Sequence, residues 1–257
     1  PAGGEFVPAG RQMQIDLAQL KDYESLVGNF YAIDANTMIG SDQLSVDKFM
    51  EIDMTMAKQE GEGPQILIYH THSQEAFADS VPGDVNTGIV GVGEYLTQVL
   101  NHTGQYDVET RDNAYSRALP EVEQLLAKNP SIQVVIDLHR DEVAQDTRLV
   151  TELQGRPTAK FMFFNGLSRT RKTGDIDYLR NENQEANLAF SFQMQLKAAE
   201  YYPGLTRRIY LKGYRYNMHL CPRTLLVELG AQNNTYEEAI NACDPLAHIL
   251  DMVLGGE

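Results

Sequence analysis

QILIYHTHSQEAF, residues 65–77, is the stretch from which the fold is read. Its front half, Ile66-Leu67-Ile68-Tyr69, is a short apolar run that follows the break Gly61-Glu62-Gly63-Pro64, and it reads as a buried strand. Its back half, His70-Thr71-His72-Ser73-Gln74-Glu75, crowds two imidazoles and a carboxylate at the C-terminal end of that strand. Open α/β sheets build their sites at that end. His72 and Glu75 are three apart, a spacing that brings both side chains onto one ion where the chain turns into a helix. The stretch therefore predicts half of a zinc site.

Working outward, apolar strands alternate with amphipathic helices. Asp84 is placed to cap a helix running through Leu100, and Ser116 to Lys128 reads as another helix. Tyr106–Thr110 is a short strand between them. SIQVVIDL, residues 131–138, is a β-branched run typical of a buried strand. Ala159–Phe164, Arg208–Leu211 and Thr224–Glu228 are further strands. Glu182 to Tyr202 reads as a long helix closed by Pro203-Gly204, and Thr235 caps the last one, with Glu237 and Glu238 in its first turn. This alternation predicts an α/β fold, with a twisted, mostly parallel or mixed sheet and helices on both faces. Residues 1–61 read as an N-terminal extension packed on the core, the first eleven or so disordered, and 62–257 as the catalytic domain.

Charge and composition narrow the functional classes. A net charge of −15 lacks the Lys/Arg excess that nucleic-acid phosphates require. Two cysteines, Cys221 and Cys243, make no disulfide framework; one bridge or two free thiols are both compatible. No apolar run reaches the length of a membrane span, and the start at Pro1-Ala2-Gly3-Gly4 looks like a processed end, compatible with an anchor or signal upstream, so the full-length protein is not described by this absence.

The second half of the site comes from two other strand ends. His139 follows SIQVVIDL directly, within Asp137-Leu138-His139-Arg140-Asp141. Glu228 ends the run Leu225-Leu226-Val227 and is costly to bury unless paired or put to use. A salt bridge to Arg140 or Arg223 is its structural alternative. His72, Glu75 and His139 as ligands, with a fourth position for water, match the count of catalytic zinc, since structural zinc normally closes with four protein ligands. Glu228 is then the general base and Arg140 the stabiliser of a developing oxyanion. His70 either replaces His72 as a ligand or acts as a proton-donating neighbour; the choice between them stays open. His102, His219 and His248 read as solvated or packing residues.

YHTHSQEAF, VVIDLHRDEV, YYPGLTR and TLLVELGAQNNTYEEA together resemble the stage II sporulation protein P (SpoIIP) family over most of residues 62–254. The resemblance implies a Zn2+-dependent peptidoglycan hydrolase that cleaves the amide between N-acetylmuramic acid and L-alanine, with endopeptidase action on cross-links. It further implies an extracytoplasmic, membrane-anchored protein at the sporulation septum during engulfment. The implied partners are a SpoIID-like lytic transglycosylase and a SpoIIM-like membrane protein. In plan the domain is similar to Amidase_3-type amidases and, more distantly, to zinc carboxypeptidases. Their His, Glu, later His and late strand-end Glu fall here on His72, Glu75, His139 and Glu228. The carboxypeptidase H-x-x-E pair matches His72-Ser73-Gln74-Glu75. The Amidase_3 group instead takes its Glu well downstream, where this chain offers Asp84 and Asn86 but no Glu. A peptidase acting on stem peptides alone, and a non-catalytic wall-binding scaffold, are the competing readings.

Overall fold

A computed structural model describes residues 5–56, 63–104, 108–112 and 118–256 of the chain. In chain order the strands are β1 (Tyr31–Ile33), β2 (Ile66–His70), β3 (Val108–Asp112), β4 (Val134–Asp141), β5 (Val150–Leu153), β6 (Arg156–Ala159), β7 (Phe161–Gly166), β8 (Arg169–Thr170), β9 (Gly174–Asp175), β10 (Ile209–Lys212) and β11 (Arg223–Ala231). The α-helices are α1 (Leu17–Leu20), α2 (Tyr23–Phe30), α3 (Val46–Glu51), α4 (Ile89–Val99), α5 (Ala118–Lys128), α6 (Gln184–Tyr201) and α7 (Tyr236–Gly255).

Seven strands form one sheet in the order β1-β10-β7-β11-β4-β2-β3. Every pairing is parallel except β11 with β7. The central strands are apolar on both faces because both faces are covered. On one face, Ile66, Ile68, Val134, Ile136, Leu138, Leu225, Val227 and Leu229 join the main core with the buried sides of α4, α6 and α7. The other face is thinner: Leu67, Tyr69 and Val135 pack under Val122 of α5, and Phe164 and Leu226 under Met218. Parallel pairing puts the C-terminal ends of β2, β4 and β11 at one edge of the sheet. There the thinner face opens as a cleft of about 740 Å³.

The N-terminal residues are integral to the core. Strand β1 hydrogen-bonds to β10 as a sheet edge, and Leu20, Leu26, Phe30 and Phe49 lie in the main core. Within the expected N-terminal extension, residues 7 and 9 are hydrogen-bonded to the rest of the chain. Val7 N–H donates to Gln154 Oε1, and Ala9 N–H donates to the Tyr202 hydroxyl. Residues 1–4 lie outside the described chain. A β5–β6 hairpin escapes the sequence pattern; its turn, Gln154-Gly155, has both φ values positive (55° and 76°), as a primed hairpin turn requires. Thr235 caps α7 in a reciprocal capping box with Glu238. Asp84 caps a single 3-10 turn at Val85–Thr87, and α4 starts beyond it at Ile89. Both cysteines are free thiols. Among the described residues, no helix is long and apolar enough to cross a membrane.

Candidate metal centre

Strand β2 ends at His70, and residues 71–74 turn sharply away from the sheet. The turn carries His72 and Glu75 over the ends of β4 and β11. Two contacts hold it there. Ile89 N–H at the start of α4 donates to Glu75 O (3.0 Å), and the Arg140 backbone N–H donates to Glu75 Oε2 (2.9 Å). The first contact needs Gly88, because a Cβ at that position would fall 2.6 Å from Glu75 O. Beyond the turn, Ala78 N–H donates to Asn234 O and Tyr236 N–H to the Asp79 carboxylate, fastening the loop to the α7 start.

His72, Glu75 and His139 converge. One donor atom from each lies within 4.8 Å of the others, a group of metal-ligand type found among the described residues. Glu75 Oε1 is 3.2 Å from His72 Nδ1 and 3.4 Å from His139 Nδ1, and the two rings meet edge-on at 5.0 Å. His139 and Glu75 are largely buried while the His72 side chain is 49% exposed, so the cluster has a closed side and an open one.

Asp137 stands behind His139 on the same face of β4, since strand side chains alternate with period two. Its Oδ1 is 2.8 Å from His139 Nε2, an ionic contact without linear hydrogen-bond geometry, and it accepts from Thr71 N–H (3.1 Å) and from the Thr71 hydroxyl. Burial alone would push His139 down, but the carboxylates of Asp137 and Glu75 outweigh it and hold its pKa up at about 11. Burial raises Glu75 and Asp137, and in each case contact with His139 outweighs it and leaves the carboxyl below its usual range. Asp137 and Glu75 thus favour positive charge at His139. Two imidazoles and a carboxylate within one ion's reach, backed by a second carboxylate, fit a metal ion.

Glu228 is the register partner of His139 across β11 and β4, and both line the cleft. Parallel partners point to the same face, so the pairing carries Glu228 to the cluster's side of the sheet. Burial pushes its pKa up to about 7, and its Oε2 has no hydrogen-bond partner. The salt bridges offered as its structural alternative are not formed. Arg140 donates from Nε to Ala76 O (3.1 Å) and from Nη1 to Asp141 O (3.3 Å), and Arg223 donates to Met54 O and Thr55 O.

His70 does not join the cluster. It alternates onto the opposite face of β2, is fully buried, and has its Nδ1 2.9 Å from Leu138 O. Its ring fills the space beside Gly93, where an added Cβ would lie 2.4 Å from Nε2. His70 and His72 would share a face only if the strand continued, and it stops between them. Arg140 lines the cleft, with its guanidinium fastened to the two carbonyls just named. His102 is exposed, His219 is 3.9 Å from Glu123, and His248 pairs with the Tyr202 hydroxyl.

The family model described as "Stage II sporulation protein P (SpoIIP)" matches residues 19–251. The chain belongs to the SpoIIP family. It is 25% identical over 216 residues to stage II sporulation protein P of Bacillus subtilis (strain 168), covering 74% of this chain and 51% of the relative. The chain thus spans about half the length of the curated relative it matches. Solved structures with a similar chain course include the N-acetylmuramoyl-L-alanine amidase AmiC2 of Nostoc punctiforme (11% identity, TM-score 0.43, covering 76% of this chain and 98% of that one). Another is an N-acetylmuramoyl-L-alanine amidase from Clostridium difficile 630 (13% identity, TM-score 0.43, 76% and 96%).

In this SpoIIP-family chain, sequence reasoning passed over Asp137 and Thr71. The available signal was the Asp-x-His spacing on one strand, which places a carboxylate behind an imidazole. The far end of the cleft, from Lys212 to Asn217, carried no signal, because β10 is separated from β4 by β7 and β11 and shares the cleft with it only through the sheet order.

Proposed function

We propose that the cleft is the active site of a zinc-dependent peptidoglycan hydrolase, cleaving the amide between N-acetylmuramic acid and L-alanine, with endopeptidase action on cross-links. One observation carries the reading. The three donors of His72, Glu75 and His139 converge beside a buried, unpartnered carboxylate oxygen of Glu228 in one open cleft. Membership of the SpoIIP family supports the substrate. His72, Glu75 and His139 would hold Zn2+, which when bound supplies Lewis-acid activation of the carbonyl and of water.

The chain's own groups do the rest. Glu228 takes a proton from the attacking water and delivers it to the leaving amine nitrogen. Burial makes its carboxylate a stronger proton acceptor than a solvated one, which favours the first transfer. Asp137 holds the His139 ring from behind, and the Arg140 backbone N–H fixes the Glu75 carboxylate. The Arg140 guanidinium, at the cleft wall, adds positive potential where the carbonyl oxygen gains charge. Following the family resemblance, the protein acts outside the membrane at the septum, with a SpoIID-like transglycosylase and a SpoIIM-like membrane protein as partners.

The test joins metal analysis to digestion of isolated sacculi. Purified protein is expected to carry about one zinc per chain and to release stem peptides, and Glu228→Ala to bind zinc but release none. Undiminished release by Glu228→Ala overturns the assignment of the base. A protein that binds no zinc and cuts nothing when zinc is supplied overturns the whole reading.

A further inference from the structure

The end of the cleft away from the metal cluster is built with unusual constraint, since Lys212 pairs with Gly166 and so lies toward the N-terminal part of β11 rather than beside Glu228. Lys212 ends β10, and the turn that follows carries Tyr214, Arg215, Tyr216 and Asn217 into the cleft lining. Tyr216 and Asn217 both adopt left-handed backbone (φ 49° and 60°), which is strained for residues with a Cβ. Gly166 on β7 lets this turn sit down. A Cβ there would lie 2.2 Å from Tyr214 O and 2.6 Å from Arg215 O. From below, Asn217 Nδ2 reaches the Tyr69 hydroxyl (3.5 Å), and the Tyr216 ring packs edge-on against Phe164 at 4.8 Å.

What this turn presents is positive charge. Lys212 and Arg215 are half-buried in a protein with 36 acidic and 21 basic residues, yet neither forms an ion pair with a carboxylate among the described residues. The Lys212 ammonium sits 5.9 Å over the Tyr216 ring. Arg215 donates once, from Nη1 to Arg180 O at 3.4 Å, which leaves most of the guanidinium donors for another acceptor. By contrast Arg207 pairs with Asp141 and Arg156 with Asp244. The cluster end carries Glu75, Asp137, Asp141, Glu142 and Glu228. There Arg207 pairs with Asp141 and His139 with Asp137, whereas Lys212 and Arg215 have no carboxylate partner among the described residues, so an anionic group is drawn to them and oriented in the cleft.

We infer that Lys212 and Arg215 form a carboxylate-binding subsite at the end of the cleft away from the metal cluster, so that the cleft selects acidic peptides and fixes their direction. This rests on the amide-hydrolase reading, because it presumes a peptide with its scissile amide at His72, Glu75 and His139. Tyr214, half-exposed beside the two cations, supplies an apolar surface for the peptide chain.

The test measures binding by calorimetry and needs no turnover. Zinc-reconstituted wild type, Lys212→Met/Arg215→Met and the control Lys172→Met are titrated with N-acetyl-Ala-Glu-Ala amide and N-acetyl-Ala-Ala-Glu amide, and with their Gln counterparts. Wild type is expected to prefer one of the Glu peptides over its Gln counterpart by about tenfold, as one charge-assisted pairing provides. That preference should vanish in the double variant and persist in Lys172→Met, an exposed cation outside the cleft. Equal affinity of wild type for Glu and Gln peptides in both registers overturns the inference. So does a Glu preference that survives in the double variant or is lost equally in Lys172→Met. Should the double variant not fold, Lys212→Gln and Arg215→Gln carry the same comparison singly. On sacculi the double variant should raise KM and leave kcat nearly unchanged. Glu-selective binding by a protein that hydrolyses nothing would refute the hydrolase reading and leave the subsite standing; hydrolysis without Glu selectivity would do the reverse.

Discussion

Replacing Glu228 by Gln should make the metal-free protein more stable at alkaline pH while destroying its activity. Burial lifts the Glu228 carboxyl from 4.5 to about 7. A group whose folded pKa is raised contributes its full stability below the unfolded value and loses it as pH rises through the folded value. The loss therefore falls between about pH 4.5 and pH 7. At roughly 1.4 kcal/mol per tenfold change in proton affinity, the ceiling is about 3 kcal/mol, of which about 2.5 lies between pH 5 and pH 8. Gln keeps the shape and removes the titration. The assay is urea unfolding in chelator at pH 5 and pH 8, comparing each variant with wild type so that all other titrations cancel. The Gln variant should gain about 2–3 kcal/mol on wild type in going from pH 5 to pH 8, and zinc should shrink the gain because a nearby cation favours the ionised carboxylate. Release of peptides from sacculi by the same variant should fall by at least about a hundredfold. An equal stability difference at the two pH values would mean that Glu228 does not titrate in a buried, unpartnered environment, and the case for it as a base would lose its physical ground.

Other outcomes follow from the same geometry. Zinc binding must displace the proton that Asp137 and Glu75 hold on His139, so calorimetry in buffers of different ionisation enthalpy should show net proton release, and affinity should weaken as pH falls. Asp137→Asn should weaken zinc binding by about 10- to 100-fold with the fold retained, whereas His139→Ala should lose the metal; unchanged affinity in Asp137→Asn would deny the positioning role. His70→Ala should cost about 2 kcal/mol or more of stability, from an emptied core site and an unpaired Leu138 carbonyl, and leave zinc stoichiometry unchanged. Gly93→Ala should destabilise as well, since its Cβ meets the His70 ring, and loss of zinc from either variant with the fold intact would return His70 to the site.

Much of the architecture was legible because it rests on local physics. Short apolar runs marked β2, β4 and β11, and Thr235 with Glu238 marked the start of α7. The polar residues at strand ends pointed to one edge of the sheet, as parallel pairing of those strands requires. The short hairpin at 150–159 and the edge role of β1 were not legible, since short strands owe their pairing to partners distant in sequence rather than to their own pattern.

By itself the sequence determined the α/β class, the strand ends on which His72, His139 and Glu228 sit, and the need for a use for a carboxylate closing an apolar strand. The spacing to Glu75 favoured His72 but left the role of His70 open, because spacing says nothing about where a strand stops. Only the tertiary structure decided that. The ladder ends at His70, which keeps the core face, and the turn at 71–74 carries His72 to the other. Likewise the partnership of Glu228 with His139, Asp137 behind that imidazole, and the cationic wall from Lys212 to Arg215 exist only through register and strand order. Those are set by burial across the whole sheet, and no local stretch of chain encodes them.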